Sequence, residues 1–235
     1  MHIEFPSVLT ASLRRTVFVF GFIVLVSVAA FAQSADPYTG KLKAGDAKSA
    51  SGDQSGAAAE YDAAVADAQT PTQRALALGK KALALAQKQD YAGAKEAANS
   101  ALATGSSIEP VAEVTALQAL AKCQLHENDY SGALESIVRA DGLPGVEWAK
   151  AEVAMIRGDA ERGSGKAEAA LASYRSVLEM PGVSNDFKGV AWLNVGLAEQ
   201  YSLKNGANAK EAYAKAVELN PGLKAETETH LAKIQ

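Results

Sequence analysis

Small apolar residues recur along this chain at a fixed interval. Ala57, Ala94, Ala133, Ala170 and Ala209 are spaced by 37, 39, 37 and 39 residues. Four positions beyond each stand Tyr61, Ala98, Ile137, Tyr174 and Tyr213, and seven beyond stand Ala64, Ala101, Ala140, Val177 and Ala216. Residues separated by four and then three positions share one face of an α-helix. The pattern therefore predicts five helices, each with a narrow small-residue stripe that lets a neighbouring helix approach closely, and with tyrosines filling the gaps. Turn-forming residues precede every stripe: Gly52-Asp53, Gln89-Asp90-Tyr91, Asn128-Asp129-Tyr130, Gly163-Ser164-Gly165 and Asn205-Gly206. Gly, Asn and Asp tolerate the left-handed geometry that ends a helix. Each unit reads as helix, tight turn, helix.

Prolines punctuate the same units. Pro37, Pro71, Pro110, Pro144, Pro181 and Pro221 lie 34, 39, 34, 37 and 40 residues apart. Proline inside a helix loses a hydrogen bond and clashes with the preceding turn, so it marks boundaries. Each interval has room for two helices, and a period of this size is the signature of a repeat architecture.

On these residues the chain resembles the tetratricopeptide repeat family, whose pattern is W-x2-L-G-x2-Y, then A-x3-F, then P. The last repeat carries the resemblance best. Trp192-Leu193-Asn194-Val195-Gly196 fits the first helix, and Ala209, Tyr213, Ala216 and Pro221 fit the second. Glu199 stands where the pattern has tyrosine, and the turn carries about one extra residue. Gly45 and Gly158 hold the small first-helix position in repeats one and four, with Ala82 and Ala121 in repeats two and three. Spacing beyond the family's 34 residues falls in inter-repeat loops such as Thr104-Gly105-Ser106-Ser107 and Asp141-Gly142-Leu143. The resemblance implies an all-α, right-handed α-solenoid of about five helix-turn-helix repeats, at residues 38–71, 72–110, 111–146, 147–182 and 183–222. Residues 223–235 read as a C-terminal capping helix, with Leu223, Leu231 and Ile234 beside charged residues. Repeat one is the weakest, with a polar first helix around Lys41 to Ser51, and its pattern leaves both full and partial order open.

Composition narrows the partners. Hydrophobic residues make up 48% of the 235, so the chain can bury a substantial core. Aromatics are scarce at 6%, which suits close-packed helices better than sheets. A net charge of -4 offers no general attraction to phosphate backbones, so nucleic acid is not an expected partner.

Residues 1–32 read as a secretory signal peptide or an N-terminal signal anchor. Val17 to Ala32 is an uncharged apolar run preceded by Arg14 and Arg15 and ending in Ala30-Phe31-Ala32, a small-x-small cleavage pattern. Cleavage after Ala32 leaves the protein periplasmic or secreted. An uncleaved run, near the lower length for a membrane span, tethers it to the membrane through that segment alone. Either way the arginines stay cytoplasmic and the repeats lie on the far side. Ser12-Leu13-Arg14-Arg15 departs from the twin-arginine pattern, favouring ordinary secretion. Cys123 is the only cysteine, so no internal disulfide forms, and it is expected in a buried helical position.

Catalytic chemistry is not apparent. His2, His126 and His230 are far apart and form no metal-ligand spacing. Gly163-Ser164-Gly165-Lys166 has the tail of a phosphate-binding loop, but Ala160 and Ala167 occupy the first glycine and hydroxyl positions, so it reads as a turn. No catalytic residue, metal or cofactor is expected, and a hydrolase is a distant alternative. The resemblance instead implies a groove lined by first helices. Its inward positions carry over to Gln118, Lys122 and His126 in repeat three, to Glu152, Met155, Asp159 and Arg162 in repeat four, and to Asn194, Leu197 and Tyr201 in repeat five. In repeat two they fall on Leu76, Leu83 and Ala86, which either line the groove or pack on repeat one. Such a mixed lining suits an extended peptide or a partner helix. The chaperone-tail clamp of the family, a cluster of lysines, asparagines and an arginine, is absent. The reading is a protein-binding adaptor or scaffold outside the cytoplasm; self-association into a homo-oligomeric spacer at the membrane is the alternative.

Overall fold

The computed structural model describes residues 36–105 and 108–234, and the expected export segment lies outside them. The described residues form five antiparallel helix pairs followed by a short final helix. The pairs are α1 (Pro37–Ala50) with α2 (Gln54–Asp67), α3 (Pro71–Gln87) with α4 (Tyr91–Leu102), and α5 (Pro110–His126) with α6 (Tyr130–Asp141). Then come α7 (Lys150–Gly163) with α8 (Ala167–Glu179), α9 (Asn185–Leu197) with α10 (Gly206–Leu219), and α11 (Lys224–Leu231). Each helix packs on its successor, and first helices pack on the first helix of the next pair, α3 on α5 and α5 on α7. That is the connectivity of an α-solenoid. No strand is present among the described residues.

Prolines start the first three pairs directly, as Pro37, Pro71 and Pro110 are the first residues of α1, α3 and α5. There the missing N–H would have had no helical partner anyway. Pro144 and Pro181 instead sit within the connections between pairs, and a single turn of 3-10 helix, Glu147–Ala149, precedes α7.

The turn inside every pair has one design. A residue in the left-handed region, Gly52, Gln89, Asn128, Gly165 or Lys204, comes just before the N-cap position of the second helix. Asp53, Asp90 and Asp129 then accept a hydrogen bond from the backbone N–H three residues on, at 2.8, 3.1 and 3.0 Å. The donors are Gly56, Gly93 and Gly132, where a Cβ would press on the capping carboxylate.

The predicted small-residue stripe is the core. Ala57, Ala94, Ala133, Ala170 and Ala209 are all fully buried. Facing each stripe, the first helix supplies a complementary residue. Tyr61, Tyr174 and Tyr213 lie against Gly45, Gly158 and Gly196, whereas Ala82 packs in one cluster with Ala98 and Ala121 in one cluster with Ile137. A large ring is matched to the absence of a Cβ, and a smaller side chain to a methyl. Each pair is sixteen residues apart except Gly196 and Tyr213, which are seventeen apart. The extra residue widens the end of α9 into a π-helical turn, Ala198–Ser202.

Repeat one is ordered, with α1 helical from Pro37 to Ala50. Its polar face is used in pairing. Tyr38 is buried with its hydroxyl donating to Gln73 O at 2.9 Å, Lys48 meets Glu60 at 2.7 Å, and Asp46 receives both Tyr61 Oη and Lys80 Nζ. Hydrophobicity undercounts a helix held by hydrogen bonds and ion pairs to its neighbours.

At the other end, Leu223, Leu231 and Ile234 pack against Leu193, Ala209 and Tyr213. The Gln200 amide of the π-helical turn accepts from Tyr213 Oη at 2.6 Å and donates to His230 O at 3.0 Å. Tyr201 Oη and His230 Nδ1 are 2.9 Å apart. Cys123 is fully buried beside the repeat-two core, and burial pushes its thiol up to about 11, leaving it protonated.

Candidate functional site

The C-terminal ends of α3, α5 and α7 converge on an open cleft of about 560 Å³. Ala86 and Gln87 come from α3, Lys122, Leu125 and His126 from α5, and Asp159, Arg162 and Gly163 from α7. Gln89, Tyr91 and Tyr130, from the turns and the starts of the second helices, complete it. First helices reach one cleft because the solenoid stacks them side by side.

Aromatic rings form one rim. Tyr91 of repeat two stacks on His126 of repeat three, with centroids 3.7 Å apart and planes 12° from parallel. The equivalent contact one repeat later is Tyr130 against Gly163, which has no side chain to stack on the ring. His126 and Gly163 each lie five residues past the small residue of their helix, Ala121 and Gly158.

Charged groups form the floor. Asp159 accepts from Tyr174 Oη at 2.7 Å and lies 3.7 Å from Arg162, whose Nε also approaches the same hydroxyl at 3.3 Å. Burial raises the Asp159 carboxyl above the usual carboxylate range, against the opposing pull of the tyrosine hydroxyl and of Arg162 and Lys122. Lys122 extends from α5 to Glu152 on α7, 2.6 Å away. Lysine has three donors and arginine five, so both keep N–H groups beyond those used in these contacts.

Of the residues read from sequence, Lys122, His126, Asp159 and Arg162 meet in this cleft, together with Ala86. Glu152 joins them through Lys122. Two positions are corrected. Gln118 is 1% exposed and Met155 is 7% exposed, so neither lines an accessible wall. Met155 is drawn into the core around Tyr174 and Val195. Gln118 lies on the helix flanked on both sides by other first helices, and its Nε2 is buried without a partner among the described residues.

Asn194, Leu197 and Tyr201 do not reach the cleft. Leu197 packs at the edge of the last core, and the π-helical turn presents Tyr201 to His230. Leu76 and Leu83 are partly buried against clusters formed by α3, α4 and α5. The rim tyrosines were not read as site residues. Their signal was the Asp-Tyr pair at 90–91 and 129–130, which was visible only as a turn.

The sequence matches no family model and no curated protein. Solved structures are similar in shape. The crystal structure of YrrB, described as a TPR protein with an unusual peptide-binding site, superposes with a TM-score of 0.53 at 20% identity, over 88% of this chain and 97% of that one. The fold is that of a tetratricopeptide solenoid. A crystal structure of MamA aligns with a TM-score of 0.51 at 19% identity, over 82% and 96% of the two chains. A MamA double mutant reaches 0.54 at 15% identity, over 81% and 98%. At these identities the likeness is one of fold.

Proposed function

We propose that this chain is an exported, non-catalytic adaptor that binds a peptide or helix of another protein in the cleft formed by α3, α5 and α7. The observation that carries the reading is convergence: Lys122 and His126 of one repeat and Asp159 and Arg162 of the next share one open cleft with Ala86 and Gln87 of the repeat before them. Spare N–H donors beside stacked rings suit backbone carbonyls and a few anchoring side chains. The peptide-binding site named for YrrB supports the same use of the fold. The address rests on Arg14, Arg15 and the apolar run to Ala32.

The test is capture of interacting proteins from the native envelope by the full chain and by its Arg162→Ala variant. The reading expects at least one specific protein to be retained by the wild type and lost from the variant, with both helical by circular dichroism. Equal capture by the two contradicts it.

A further inference from the structure

A second cleft, of about 700 Å³, opens at the other end of α7. Trp148, Ala151, Met180, Val183 and Phe187 supply its apolar walls. Trp148 is 60% exposed although its neighbours Val146 and Ala149 are each 1% exposed and embedded in the core. The short 3-10 turn is pinned on both sides of the indole and holds it out beside the cleft. An indole held in water beside other apolar groups marks a contact surface. Glu147, Lys150 and Glu152 stand at the rim.

The two clefts meet at one ion pair. Lys122 lines the first and Glu152 the second, and they are 2.6 Å apart. Along α7 the second cleft ends at Glu152 and the first begins at Asp159. At 1.5 Å per residue that interval is about 10 Å, which an extended chain covers in about three residues. The chemistry of the two ends differs. The first offers Lys122, His126 and Arg162 with unused donors, and its one carboxylate, Asp159, is already engaged by Tyr174 and Arg162. The second offers apolar walls.

We propose that the two clefts form one bipartite site for an extended segment carrying an aromatic or long aliphatic side chain and, about three residues away, an acidic one. The apolar side chain seats against Trp148 and Phe187. The acidic one meets Arg162 and Lys122, and the backbone between them crosses the Lys122–Glu152 pair. This rests on the adaptor reading and specifies the chemistry of its partner.

The test is fluorescence anisotropy of dye-labelled synthetic peptides, each with one phenylalanine and one aspartate in a Gly-Ser background. The two residues are adjacent, about three apart or about eight apart. Against the full chain, the intermediate spacing is expected to bind about tenfold tighter than the others. Trp148→Ala and Arg162→Ala are each expected to remove about tenfold of that affinity while circular dichroism is unchanged. Binding that ignores spacing and survives Trp148→Ala, yet falls with Arg162→Ala, overturns the bipartite site and leaves the first cleft as the binding surface. Failure of every peptide to bind overturns this proposal, while the envelope-capture comparison judges the adaptor reading separately.

Discussion

The ring of Tyr174 lies against the backbone of Gly158, in space that a Cβ at position 158 would have to share with the ring carbons. The same relationship joins Tyr61 to Gly45 and Tyr213 to Gly196. In an ordinary helix, Gly→Ala stabilises by about 1 kcal/mol. Here the added methyl must displace a fully buried tyrosine, and overpacking costs about 1–3 kcal/mol. Gly158→Ala is therefore expected to destabilise the protein by up to about 2 kcal/mol in urea unfolding, instead of stabilising it.

Asp159 makes the cleft sensitive to acid in a defined direction. Burial holds its folded-state carboxyl above the usual range, so the folded protein binds this proton more readily than the unfolded chain does. Its contribution to stability is thus fullest below the ordinary carboxylate pKa and is lost as pH rises through the raised value. Asp159→Asn keeps an acceptor for Tyr174 Oη and removes the charge. The variant's Tm, measured relative to wild type, is expected to be higher at about pH 7 than at about pH 4. A relative Tm that does not change between the two would contradict the assignment.

Gln200 ties the end of the solenoid to its last helix, accepting from Tyr213 and donating to the His230 carbonyl. Gln200→Ala leaves the fully buried Tyr213 hydroxyl without that acceptor, a loss of about 1–3 kcal/mol. Its local signature is expected in hydrogen exchange: amides of α11 exchange faster than in wild type, while those of α3 to α6 change only with global stability.

The fold was legible because it repeats. Ala57 and its equivalents, the prolines and the turn residues each signal weakly, but five copies at a common spacing leave one architecture. Gly45 and Gly158 were readable as small first-helix positions, yet their match to Tyr61 and Tyr174 needs the packed pairs to be seen. The extra residue between Gly196 and Tyr213 was countable in sequence. That it becomes a π-helical turn holding Gln200 and Tyr201 against the cap depends on where α11 docks. Within the site, the resemblance to the repeat family carried Lys122, His126, Asp159 and Arg162 over to inward positions. It cannot tell how far neighbouring first helices close over those positions, and so it misplaced Gln118 and Met155. Trp148 carried no periodic signal, since it stands in an inter-repeat turn whose orientation is set by the burial of Val146 and Ala149.

The central claim is that the cleft between the first helices receives another protein. It is tested most directly by a photo-crosslinking residue placed at His126 in the cleft or, for comparison, at Val138, which is 63% exposed on the second helix α6. Irradiated in the native cells, the His126 position is expected to yield a discrete adduct with another protein, lost when Arg162→Ala is added, and the Val138 position none. Adducts from Val138 alone, or adducts at His126 that are indifferent to Arg162, would contradict the account.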